Sequence, residues 1–252
     1  MNYPKVEILG ISGIPMIKEG DDLASLIVEA AEKSGLDLLD GDILVISQII
    51  VSKAEGRVRS LDEYEPSEFA KSIAKSSGKD PRHIEAILRS SRRIVRMSRR
   101  LLICEAVGGH ICANAGVDLS NAGRGRIALL PEDPDQSAAR IRRRIKEIKG
   151  VDVAVIISDT HGRPLRRGAI NVAIGCSGLN PFNDRRGEKD LYGRVIKSKI
   201  ICVADELASA AELVMGQAAE GIPAAIIRGY RYRGGEGSAS SIPRRDEDDL
   251  FL

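Results

Sequence analysis

An α+β architecture follows from three features of the chain. A strand-like run and an amphipathic helix stand next to each other near the start. A glycine hairpin occupies the middle, and a later run is apolar on both faces. This mixture of hairpins and helices lacks the steady strand–helix alternation of a doubly wound sheet. With 252 residues the chain can form one large domain or two interleaved smaller ones, and in either case can bury a substantial core.

The elements follow in order. "KVEILGI" (5–11) reads as a strand. In "DDLASLIVEAAEKSG" Leu23, Leu26, Ile27 and Ala30 share a helical face, and Gly35 is the expected stop. "GDILVISQIIVSKAEGRV" (41–58) is expected as one long apolar strand turning near Glu55-Gly56. Two helices have explicit starts. Asp80 caps the first, with Pro81 at its opening position, where a missing N–H costs nothing. Asp133 caps the second, Pro134 follows, and Gln136 completes a capping-box spacing. Ile141, Ile145 and Ile148 then share a face up to Gly150. "LLICEAVGGHICANAG" is a hairpin turning at Gly108-Gly109, and "VDVAVIIS" an interior strand. "NVAIGCSG" and "VIKSKIICVADE" read as strands, "LASAAELVMGQAA" as a helix and "PAAIIRG" as a strand. Residues 231–252 are polar and glycine-rich with an acidic end, a composition expected to be mobile.

Composition narrows the function classes. A formal charge of +2 names no partner, and with 3% aromatic residues and no Trp there is no stacking platform for single-stranded nucleic acid. The arginines are interleaved with acids, so no nucleic-acid partner is expected. Cys104, Cys112, Cys176 and Cys202 stand far apart, as reduced buried thiols do. The start lacks a signal-peptide pattern, and no apolar run reaches the ~20 residues of a membrane span, so a cytoplasmic protein is expected.

The chemistry concentrates in "VAVIISDTHGRPLRRG" (153–168). An apolar strand stops at Ser158-Asp159-Thr160, and Arg163, Arg166 and Arg167 follow. "CANAGVDLSN" (112–121) is a second strand-like segment that runs into a loop presenting an Asp. Asp118, Asp159 and the Thr160 hydroxyl offer hard oxygen ligands for magnesium or manganese, which commonly binds through one or two carboxylates plus substrate phosphate oxygens. Turn-tightening aspartates explain the same letters equally well. Lys53 suits either a phosphate or the exposed end of a hairpin. The three arginines suit either an anion or solvent. "ISDTHG" also opens the metal motif of calcineurin-like phosphoesterases, but that site needs further histidines downstream and none follows His161. "GRGRIA" (123–128) matches a dinucleotide fingerprint in letters only, since it follows a polar loop and leads into a strand.

Ordered, well-separated stretches carry a family likeness: "GIPMIKEGDDL", "DGDILVI", "VSKAEGR", "GKDPR", "CANAGVDLSN", "LLPEDPDQSA", "VIISDTHGRPLRRG", "RRGEKDLYGR", "VADELASAAELVMGQ" and "IPAAIIRGY". On these the chain resembles the coenzyme F420-0:gamma-glutamyl ligase family in its short, stand-alone form. The resemblance implies an unusual mixed α+β fold that makes an intertwined homodimer, with residues 1–230 as the ligase domain. It implies GTP-dependent, gamma-linked addition of L-glutamate to the coenzyme F420 precursor, with magnesium or manganese and also potassium. Asp118, Asp159 and Thr160 match its metal positions, and the two aspartates become the expected catalytic pair. Ile14, Pro15, Met16, Ile17, Lys53 and Asn121 match nucleotide contacts, and Gln217 a position near nucleotide or metal. Gln48 and Ile49 stand where some members carry small hydroxyl residues beside the nucleotide. An acyl phosphate is the economical intermediate. The competing expectations are a metal-dependent phosphoesterase and a non-catalytic GTP-binding homologue.

Overall fold

The computed structural model describes residues 4–99 and 101–249. Glu7–Gly10 forms β1, and Leu23–Lys33 forms α1, whose cap Asp22 accepts the Ser25 N–H. Ile43–Ser47 (β2) is almost wholly buried. Here the expected long strand is corrected: the chain turns at Ser47 into a helix, Gln48–Ala54 (α2). The turn is enforced by tertiary bonds, because Ser52 Oγ donates to the Leu129 carbonyl at 2.6 Å and Gln48 Nε2 reaches the same oxygen at 3.3 Å. An apolar run alone does not distinguish a buried strand from a buried helix.

Val58–Ser60 (β3), the helices Glu68–Ser77 (α3) and Pro81–Arg89 (α4), and the strands Ser91–Met97 (β4), Leu102–Ala106 (β5), Ile111–Ala113 (β6) and Arg126–Ala128 (β7) build a second lobe. It has its own core around Ile84, Ile87, Leu102 and Ile127. The glycine hairpin joins β5 to β6 as expected, closed by Gly109 N–H to the Ala106 carbonyl at 2.8 Å. Asp80 and Pro81 open α4 as expected.

Pro134–Lys149 (α5) returns the chain to the first lobe. Its cap Asp133 accepts from the Gln136 N–H, but the Gln136 side chain bonds Arg140 instead, so the reciprocal half of the capping box is not made. Ile141 and Ile145 are buried, whereas Ile148 is exposed. Ala154–His161 (β8) and Ile170–Ser177 (β9) follow, then the short pair Phe182–Asp184 (β10) and Ile200–Cys202 (β11). Only three residues of the long strand expected in "VIKSKIICVADE" form one. The helix begins earlier, at Val203–Met215 (α6), and Ala224–Arg228 is β12.

The main sheet has the order β1-β12-β2-β8-β9, with β2 and β8 parallel and the other pairs antiparallel. The run "VDVAVIIS" is an interior strand, as expected. One face packs on α1, α2 and α5 through Ile27, Leu44, Ile145 and Ile157. The other packs on α6 through Ile43, Ile156, Ala208 and Ile227. Gly175 lets α5 lie directly on β9, since a Cβ there would overlap the Pro134 backbone. Within the described part of the polar C-terminal stretch, Ala239 is fully buried in the α6-side core and its N–H bonds Asp135 at 2.8 Å. Among the described residues no helix is long and apolar enough to cross a membrane.

Candidate active site

β2 and β8 run side by side until β2 stops at Ser47, opposite Ser158, and β8 continues three residues further along β9. Ligands in α/β sheets gather outside the carboxyl ends of such strands, where the chains diverge into loops and helices. Here β2 turns into α2, the last residues of β8 carry Asp159 and Thr160, and a cavity of about 230 Å³ opens between them.

The second lobe delivers Asp118 to this cavity. Its backbone makes a two-way bridge with Ala128, at 2.9 and 2.8 Å, which anchors the loop against β7. Its carboxylate accepts the Ser120 N–H at 2.8 Å and the Ser120 hydroxyl. Asn121 follows with φ of 53°, a left-handed conformation that asparagine tolerates. The loop thus tightens as an Asx turn, the turn reading left open by the letters, and it also presents its Asp to the cavity.

Asp159 is partly buried at the end of β8. Burial, opposed by a hydrogen bond from the Thr160 N–H and reinforced by the charge of Asp118, pushes its carboxyl up to about 6. A buried carboxylate whose ionisation is opposed by a neighbouring negative charge is a group that a bound cation would favour.

Thr160 lies opposite Asn171 on β9, and its hydroxyl donates to Asn171 Oδ1 at 3.2 Å and Gln217 Oε1 at 2.7 Å. Gln217 Nε2 returns a bond to Asn171 Oδ1 at 2.8 Å. Gly216 permits this, because its φ is 72° and a Cβ would run into Glu220. Lys53, expected at the exposed end of a hairpin or on a phosphate, sits on α2 in the cavity wall, and burial lowers its ammonium pKa. Ile14, Pro15, Met16, Ile17, Gln48, Ile49, Asn121 and Gln217 complete the lining with Asp118, Asp159 and Thr160. Every residue singled out by sequence for metal or nucleotide therefore faces one cavity.

The anion reading of the three arginines finds no support at this cavity. Arg163, Arg166 and Arg167 do not line it: the latter two are exposed, and Arg163 faces a different cavity. Sequence reasoning also missed Asn171, buried in the wall, and Glu220, whose carboxylate accepts the Ala218 N–H at 2.8 Å. Asn171 gives no local signal, since only strand register sets it against Thr160.

The family model of F420-0:Gamma-glutamyl ligase matches residues 12–229. The chain belongs to this family. Membership makes it an enzyme, a ligase. The chain is 53% identical over 251 residues to a coenzyme F420:L-glutamate ligase of Methanopyrus kandleri, covering 96% of this chain and 97% of the relative. It is 50% identical over 248 residues to the protein of that name from Methanothermobacter thermautotrophicus, covering 98% of each. The corresponding protein of Archaeoglobus fulgidus is 46% identical over 247 residues, 98% of this chain and 96% of its own.

Proposed function

We propose that this chain uses GTP to join L-glutamate, through a gamma-linkage, to the coenzyme F420 precursor. The observation that carries the reading is the convergence of Asp118, from the second lobe, and Asp159, from the central sheet, on one cavity with Lys53, Asn121 and Gln217. That arrangement belongs to a chain of the F420-0:gamma-glutamyl ligase family.

The donor set fits a hard divalent ion: two carboxylates, the Thr160 hydroxyl and the Gln217 amide oxygen. Among the described residues no three His, Cys, Asp or Glu side chains converge as a metal cluster. The fit is therefore to an ion such as magnesium or manganese that completes its shell from water and phosphate. Asp118, Asp159 and Thr160 would hold it, and when bound it supplies neutralisation of the terminal phosphates.

A carboxylate does not condense with an amine in water unaided. In the proposed route a precursor carboxylate oxygen takes the γ-phosphoryl group of GTP, releasing GDP and leaving an acyl phosphate. The glutamate amine attacks the acyl carbon, phosphate departs, and the amine's excess proton passes to solvent. Catalysis of phosphoryl transfer is mostly positioning and charge. Lys53 places a cation against the phosphates, and the Asn171–Gln217 pair fixes the Thr160 hydroxyl. Asn121 lines the wall on the second-lobe side, opposite α2.

The chain is further proposed to act as a homodimer. Leu191 and Tyr192 are fully exposed at the tip of the 184–199 excursion, an apolar pair suited to cover by a second copy. Light scattering should give twice the chain mass.

The deciding experiment incubates the protein with precursor, L-glutamate, GTP and magnesium or manganese and reads product masses. Addition of glutamyl units together with GDP release is the expected result. Asp159→Asn should lower turnover at least a hundredfold. GTP-free hydrolysis of a simple phosphodiester would instead mark a phosphoesterase, and GTP binding without product a non-catalytic homologue.

A further inference from the structure

A second and larger cavity, of about 560 Å³, lies on the far side of Asp159. Asp159 is the one residue common to the linings of both cavities among the described residues. The carboxylate at the end of β8 is thus a partition with a small polar chamber on one side and a large, mostly apolar one on the other.

The walls of the larger chamber come from both lobes. Val95, Ile103 and Ile111 reach in from β4, β5 and β6, and Val172 and Ile174 from β9. Cations sit around them: Arg96, Arg163 and, from the C-terminal stretch, Arg244. Besides Asp159 the wall holds two acids, Asp249 and Asp205, the latter turned aside to accept the Ala173 N–H at 2.9 Å. The Arg163 Nε–H is buried without a hydrogen-bond partner, and its outer nitrogen makes only long contacts, 3.3 and 3.5 Å, with the carbonyls of Arg167 and Gly168. A buried unpaired donor on a cation is costly unless an anion completes it.

We infer that this chamber binds the acid substrate of the reaction, a flat, largely apolar ring carrying anionic groups, with its reacting carboxylate beside Asp159 and Arg163. The assignment rests on the ligase reading above, in which that acid is the coenzyme F420 precursor. Size and lining select it over glutamate. The volume lies within the roughly 300–1,000 Å³ of pockets that enclose drug-sized ligands, and apolar walls give nothing to a small zwitterion. Placement agrees, because an acid bound here presents its carboxylate at the one wall shared with the phosphate chamber.

The test measures equilibrium binding of the unglutamylated precursor to the full chain, with GDP and magnesium present, for the wild type and two variants. Ala113 is an exposed residue of β6 facing the chamber, so Ala113→Trp fills space without disturbing a core. Arg163→Gln removes the charge. Precursor affinity should fall at least tenfold in each, while protection by GDP and magnesium against thermal unfolding stays within twofold of wild type and certifies the fold. If Ala113→Trp fails that fold check, Arg163→Gln decides alone. Unchanged precursor affinity would overturn the assignment even if the wild type makes glutamylated product. Conversely, precursor binding that the variants abolish, in a wild type that makes no product, would sink the ligase reading and leave the chamber assigned.

Discussion

Asp159 should be a liability to the metal-free fold. Its folded-state carboxyl titrates near 6, against an ordinary value of 3.8, because burial and the nearby Asp118 charge disfavour the ionised form. Between these values the folded state holds a proton that the unfolded chain has released, so stability falls as pH rises, and above about pH 6 the loss is complete. At about 1.4 kcal/mol per pH unit the rise amounts to roughly 3 kcal/mol. Asparagine keeps the shape and removes the charge. Asp159→Asn, in chelator-treated protein, should therefore be more stable than wild type by up to about 3 kcal/mol at pH 8, yet by less than about 1 kcal/mol at pH 4. Guanidinium titrations at the two pH values measure both differences. Magnesium at a hundred times its Kd should then return about 2.7 kcal/mol to the wild type and little to the variant. An Asp159→Asn protein no more stable than wild type at pH 8, or more stable by the same amount at both pH values, would refute the picture of a carboxylate held against burial and the Asp118 charge.

Other outcomes follow from the same geometry. Lys53→Met should leave the denaturation midpoint within about 1 kcal/mol of wild type, because it removes a partly desolvated ammonium, while nucleotide protection in a thermal shift assay falls at least tenfold. Asn171→Leu leaves the Thr160 hydroxyl and the Gln217 amide without their shared partner, so it should cost about 1–3 kcal/mol in urea unfolding and reduce kcat as well. Arg228→Met strands the nearly inaccessible Asp42, which Arg228 holds through Nε at 2.9 Å and an outer nitrogen at 2.6 Å. A loss of about 2–3 kcal/mol, discounted for the partial exposure of Arg228, should appear without change in nucleotide affinity.

What could be read from the chain divides by the range of the interaction responsible. Helix starts at Asp80 and Asp133 were legible because capping is settled within four residues. The hairpin at Gly108-Gly109 was legible for the same reason. The break between β2 and α2 was not. Ser47 occupies the cap position without a side-chain capping bond, and the helix is fixed by Gln48 and Ser52 reaching Leu129, some 80 residues away. The arginines after β8 stayed open between an anion and solvent because composition does not say on which side of Asp159 the chain leaves. It leaves toward the apolar chamber.

The meeting of Asp118 and Asp159 shows the limit most clearly. Spacing left each as either a metal ligand or a turn residue, and family likeness, not periodicity, joined them. The structure supplies the missing physical reason. β2 and β8 are the parallel neighbours of the main sheet, so both chains leave it at the same edge, and the second lobe lies in sequence between them. Closing that lobe through β3 and β7, and through the bonds from α2 to Leu129, brings the loop before β7 back over the strand ends it departed from. Asp118 therefore reaches Asp159 because the second lobe stays over the carboxyl edge, where β2 and β8 both leave the sheet, before α5 carries the chain back to the opposite edge at which β8 begins. Loosening that connection, as Ser52→Ala would by deleting its 2.6 Å bond to Leu129, should relax the Asp118–Asp159 repulsion and lower the Asp159 pKa without touching either carboxylate.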